Sequence, residues 1–144
     1  MKSRIIEEGG ERTFVLVFDT GDEVLAGLGG FAREHAISAA RFTGIGAFSN
    51  LVLGYFDWQQ KSYRRIPIAE QVEVVSLIGN IACGEDGKPM LHPHIVVAKA
   101  DGSAHGGHLL EGRVRPTLEL VVTESPAHLQ RRHDPQSGLA LIRL

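Results

Sequence analysis

The chain has 144 residues, 43% of them hydrophobic and 22% charged, a balance that suits one domain, residues 1–144, with a core of its own. A formal net charge of -2 excludes a protein that coats nucleic acid by charge alone, since phosphate binding needs clustered Lys and Arg. One cysteine, Cys83, excludes an internal disulfide, and no run approaches the roughly 20 apolar residues of a membrane helix, so a cytoplasmic protein is expected.

Residues 1–12 are charged and glycine-bearing, with a short extended piece at Arg4-Ile5-Ile6 and no apolar run of the signal-peptide kind. The first strong strand is Thr13–Phe18, read as central and mostly buried. Thr20 with Glu23 three residues later fits a capping box and predicts a helix over about 22–35. Val24, Leu25, Leu28, Phe31 and Ala32 would give it one apolar face, and Gly27, Gly29 and Gly30 would mark close approach to a neighbour. Ser38–Ile45 reads as a strand ending at Gly44-Ile45-Gly46, whose glycines permit a turn or bulge. That triplet lacks the third glycine of a dinucleotide loop.

Asn50–Asp57 is the next strand, Trp58–Ser62 a turn, and Tyr63–Ile68 a short edge strand. Glu70–Ala82 is a long strand whose alternation puts Val72, Val74, Ser76 and Ile78 on one face. A loop at 84–89 precedes Met90–Leu110, which holds four of the seven histidines. Arg113–Pro116 restarts the chain into a strand over Thr117–Thr123. Residues 125–138 read as irregular, with Arg131-Arg132-His133 a solvated basic patch, and 139–144 could add a short strand. Strands following strands around one clear helix predict an α+β domain, a mainly antiparallel sheet with the helix packed on one face.

The candidate chemistry lies in Met90–Leu110. Strand alternation sends His92 and His94 to the same side, and a turn at Asp101-Gly102 would bring His105 or His108 back past them as a third nitrogen ligand. A single histidine is an ordinary surface residue; the clustering is what points to a metal site, with the fourth coordination position open to water. Glu73 and Glu119 each interrupt an apolar strand. A half-exposed sheet would turn both to solvent, whereas the functional alternative makes Glu73 an acceptor or general base facing the histidines. Cys83 has no adjacent base and reads as structural.

Several stretches together resemble the PPC domain, the "plants and prokaryotes conserved" domain found alone in bacteria and archaea and beside AT-hooks in plant nuclear proteins. They are Gly21–Val24, Thr43–Asn50, Glu73–Asn80, Leu91-His92-Pro93-His94, and Asp101-Gly102 leading to Gly106-Gly107-His108-Leu109, in order across about residues 13–124. The resemblance implies an antiparallel α+β fold, a homotrimer and a histidine metal site matching His92, His94 and His108. Packing three subunits together would also cover the sheet face that a single helix leaves bare. The family carries a DNA-binding label, but this chain has no AT-hook: Gly112-Arg113-Val114-Arg115-Pro116 has the wrong central residue. The expected function is a homotrimeric module binding a divalent metal, zinc, in a DNA-associated or regulatory role. The alternative is a metal-dependent enzyme acting on a small polar substrate, with Glu73 as the catalytic base.

Overall fold

Alternating apolar and polar residues make most of this chain strand, and the computed structural model, which describes residues 1–7, 10–125 and 128–143, shows nine strands and one helix among them. In chain order these are β1 (Lys2–Glu7), β2 (Thr13–Asp19), α1 (Val24–Glu34), β3 (Ala39–Asp57), β4 (Ser62–Ile68), β5 (Val72–Cys83), β6 (Pro89–Ala98), β7 (Ala104–Glu124), β8 (Gln130–His133) and β9 (Ala140–Arg143). The sheet runs β1-β2-β7-β3-β5-β8-β9, with β4 added on β3 and with β6 paired to both β5 and β7. Every pairing is antiparallel except a single β5–β8 bridge. The expected α+β architecture of a mainly antiparallel sheet with one helix is therefore present. No helix among the described residues is long and apolar enough to cross a membrane.

One face of the sheet carries α1 and the core. Phe14, Leu16 and Phe18 of β2, Phe42 and Phe48 of β3, and Leu118, Leu120 and Val122 of β7 are buried there against Val24, Leu28, Phe31 and Ala32 of the helix. Helix and sheet approach closely at Gly27, since a Cβ there would meet Phe18 Cε1 at 2.6 Å. Gly29 and Gly30 have room for a methyl group, so of the three helix glycines only Gly27 serves close packing. The strand Thr13–Phe18 is one-sided: Phe14, Leu16 and Phe18 are buried and Val15 and Val17 only half so.

The helix starts differently from the expected capping box. Glu23 itself is the N-cap: its Oε2 accepts from the Ala26 backbone N–H at 2.7 Å, and its Oε1 accepts from Gly112 N on β7 at 3.1 Å. Thr20 instead donates its hydroxyl to the Pro116 carbonyl at 3.1 Å.

Two pairs of expected strands prove continuous. Residues 39–57 form one strand whose register slips between Gly44 and Gly46, so the glycine pair makes a bulge within β3. Likewise 104–124 is one strand with several register shifts against β3, so the chain runs through Arg113–Pro116 without a restart. A bulge also divides β5 between Val74 and Ser76. Because the side-chain period is two, that extra residue swaps faces: Val72 and Val74 are buried before it, and Leu77 and Ile81 after it. Ile78, expected beside Val72 and Val74, faces out at 52% exposure.

The tail is more ordered than expected. Within the stretch read as irregular, β8 lies along β5 through Cys83 and Gln130 and pairs with β9. Residues 126, 127 and 144, which belong to that irregular stretch and to the expected last strand, lie outside the described residues.

Candidate metal centre

The histidine hairpin places its rings by register alone. On β6, Pro93, Ile95 and Val97 point into the core, so His92 and His94 point to the open face that α1 does not cover. The turn at Asp101-Gly102 is closed by Asp101 Oδ1, which accepts from the Ser103 amide at 2.9 Å, and by Gly102 at φ +80°. The chain returns as β7 with His108 directly opposite His94, while Asn80 and Ile78 of β5 stand opposite His92 and His94 on the other side.

Ring centroids are 5.1 Å apart for His92–His94, 5.3 Å for His92–His108 and 5.4 Å for His94–His108. One nitrogen from each ring lies within 4.8 Å of the others. A tetrahedral ion with zinc–nitrogen bonds of 2.0–2.1 Å would hold these atoms about 3.3 Å apart. The rings therefore need to close by no more than about 1.5 Å around such an ion. Two further observations fit an ion. His108 Nδ1 is buried with no hydrogen-bond partner, and three imidazoles are the donor set of an ion that keeps one position open.

The surroundings favour the neutral form of two of these ligands, His92 and His108. Burial pushes the His108 pKa down to about 4, helped by His92, His94 and Arg131 in that order. The His92 pKa is lowered first by burial, then by Arg131 and His94. Unprotonated imidazole is the form a metal takes, so neither His92 nor His108 has to lose a proton at neutral pH.

Two neighbours of the site carried no local signal in the sequence. Tyr63 of the edge strand β4 stacks on His108 with centroids 4.8 Å apart, and burial raises its pKa, so the phenol stays a neutral donor. Gly54, paired with His108 across β3 and β7, makes the stack possible, because a Cβ there would meet Tyr63 Cδ1 at 2.8 Å. The second neighbour is Arg131, which the sequence reading left in solvent. Arg132 and His133 are indeed exposed, but Arg131 is only 6% exposed. Its guanidinium donates to Asn80 Oδ1 and, at 3.0 Å, to the Ala140 carbonyl, while its Nε is buried without a partner. Period two along β8 turns Arg131 to the opposite side from Gln130 and Arg132, a pattern that cannot be read in a stretch expected to be irregular.

The other candidates fall elsewhere. His105 is exposed, pairs with Val97 and stands outside the cluster. Glu73 is exposed and paired with Ala98, four residues along β6 from His94, or roughly 13 Å at strand rise. The chain does not bring it to its own histidines. Glu119 also faces out, and Cys83 is a half-buried free thiol.

Residues 5–126 match the model of the Plants and Prokaryotes Conserved (PCC) domain, the family called PPC above. Three solved structures are similar over nearly their whole length. A plant- and prokaryote-conserved protein from Pyrococcus horikoshii has 33% identity and a TM-score of 0.86, covering 92% of each chain. A candidate DNA-binding protein from Bacteroides thetaiotaomicron has 29% identity and a TM-score of 0.87, covering 98% of this chain and 96% of that one. A metal-containing protein from Archaeoglobus fulgidus has 31% identity and a TM-score of 0.85, covering 99% and 97%. Among curated proteins, the bifunctional protein GlmU of a Synechococcus strain is 30% identical over 133 residues, 90% of this chain and 20% of its own length. The chain thus spans about a fifth of that relative or less; a second Synechococcus GlmU is matched over 11% of its length.

Proposed function

Because the chain belongs to the Plants and Prokaryotes Conserved domain family, we propose that it is a cytoplasmic, homotrimeric module that binds one divalent metal ion per chain, zinc, through His92, His94 and His108. The observation that carries this reading is the convergence of three imidazoles on one point of the open face, with burial favouring the neutral form of His92 and His108. The metal-containing relative from Archaeoglobus supports it. The trimer is supported by the apolar side chains left bare on the same face, Ile45 at 61% exposure and Ile78 at 52%, which a closed assembly would cover.

The module acts in a regulatory or DNA-associated role, in line with the relative from Bacteroides. With a net charge of -2, its association with DNA runs through a partner. Direct phosphate contacts would instead show as binding that weakens steeply with added salt.

A second reading, a metal-dependent enzyme acting on a small polar substrate, is favoured by one observation: recesses open beside the histidines on two sides, one at Tyr63 and Arg131 and one at Arg41 and Thr43. A metal with only a structural role would be closed off by protein. In this reading Glu73 can serve as base only from a neighbouring subunit.

Metal analysis of the full chain purified without a histidine tag tests the site. One equivalent per chain is expected, lost in His92→Ala and in His108→Ala. Metal-free protein, with neither substitution changing anything, would sink both readings.

A further inference from the structure

We infer that the recess between the histidines and the β8–β9 hairpin is a binding site for a small carboxylate anion, which Arg131 holds beside the metal position. This deepens the metal reading above and rests on it. The recess has a volume of about 150 Å³ and is lined by Tyr63, His92, His108 and Arg131, with the apolar side chains of Leu91 and Leu139 completing the wall. No Asp or Glu lines it. At about 30 Å³ per water molecule it holds roughly five waters, the size of a monoanion of a few carbon atoms.

The argument turns on what Arg131 lacks. A guanidinium cannot shed its proton, so at 6% exposure the chain keeps a full positive charge out of water. Both recorded acceptors, Asn80 Oδ1 and the Ala140 carbonyl, are neutral, and among the described residues no carboxylate pairs with it. Its Nε has no partner at all. A methionine or leucine would fill the same space at lower cost if packing were the whole purpose. On the other side of the histidines, the second recess bears Arg41 and again no acid. A divalent ion bound by three neutral ligands would add to this surplus, and no acid among the described residues lining either recess offsets it.

The form of the missing charge follows from the walls. Tyr63 supplies one neutral hydroxyl and Arg131 an uncompensated positive charge with a buried, unpartnered Nε, the imidazoles of His92 and His108 face the metal position, and the remaining lining is apolar. That set satisfies the two oxygens of a carboxylate; the three charged oxygens of a phosphate would leave at least one facing hydrocarbon.

Cobalt(II) in place of the native ion gives a visible spectrum that reports its coordination sphere, and titrating the cobalt-loaded full chain with sodium acetate at constant ionic strength reads the site directly. A saturable spectral change is expected with acetate and none with acetamide, its neutral counterpart. Arg131→Met should weaken acetate about 10- to 100-fold, the span of a charge-assisted hydrogen bond, with Arg131→Lys between the two. Acetate and acetamide acting alike, or equal acetate affinity in wild type and Arg131→Met, would overturn the inference. The acetamide and lysine arms keep it testable if the methionine variant fails to fold. Absence of any cobalt spectrum would defeat the metal reading itself, whereas a normal spectrum indifferent to acetate defeats only the carboxylate.

Discussion

The two faces of the sheet come from the same strands, and β7 shows the contrast between adjacent residues: Leu120 is fully buried under α1, while Val121 on the other side is 42% exposed. The covered face is uniformly apolar, closed by a helix whose buried side chains match it. The open face mixes bare aliphatic residues, Ile45, Ile78 and Val121, with the imidazoles of His92, His94 and His108. Strand alternation hands the chain two surfaces, and only one is used up in forming the core. The other is left free to bind, which is why the candidate metal centre and the unclosed apolar surface share one face.

The largest test of this contrast is the pair Leu120→Ala and Val121→Ala. Leu120→Ala leaves a cavity in the core and should cost about 2–5 kcal/mol. Val121→Ala at low protein concentration should change stability by less than about 0.5 kcal/mol. Urea unfolding at low protein concentration compares the two. Similar losses at both positions would mean that the open face is already covered within one chain, and the contrast would fail. A Val121 effect that grows with protein concentration would place that residue in an interface.

How much of this was legible in the sequence depended on whether a signal was local. The same-face pair His92 and His94 follows from period two inside one strand, and the apolar stripe of α1 from its helical spacing. The choice between His105 and His108 depended on hairpin register, which spacing alone left open. The bulge between Val74 and Ser76 had no sequence mark, so strict alternation put Ile78 on the same face as Val72 and Val74, whereas it faces out. Arg131 was missed because its burial depends on β8 reaching β5 across 47 residues of chain, from Cys83 to Gln130. A long-range pairing of that kind leaves no trace in a four-residue window.

A second test uses pH to separate the faces. The folded-state pKa of His108 lies at about 4, below the ordinary value of 6.5, so between these two values the unfolded chain binds the more protons. The stability contributed by keeping His108 neutral is present in full above about pH 6.5 and is lost as pH falls towards 4. His92, shifted in the same direction, adds to the slope. Urea midpoints of the metal-free protein should therefore fall across that window, and His108→Gln should flatten the fall. Leu120→Ala, on the face without these imidazoles, should lower stability by a similar amount at every pH. A slope unchanged in His108→Gln would assign the pH dependence elsewhere.

The smallest effect concerns what holds the cover in place. Glu23 accepts from Ala26 N with one carboxylate oxygen and from Gly112 N with the other, so one side chain both starts α1 and ties it to β7. Removing it in Glu23→Ala leaves two backbone donors without these partners and should cost about 1 kcal/mol, within the range of lost helix caps. Thr20→Ala removes only an exposed hydroxyl bonded to the Pro116 carbonyl and should cost a few tenths of a kcal/mol at most. Thermal melts of both variants decide the matter, because the capping-box alternative reverses the order. A larger loss at Thr20 would mean that the helix is anchored from the loop before it, whereas the larger loss at Glu23 means that the cover is pinned to the strand that carries His108.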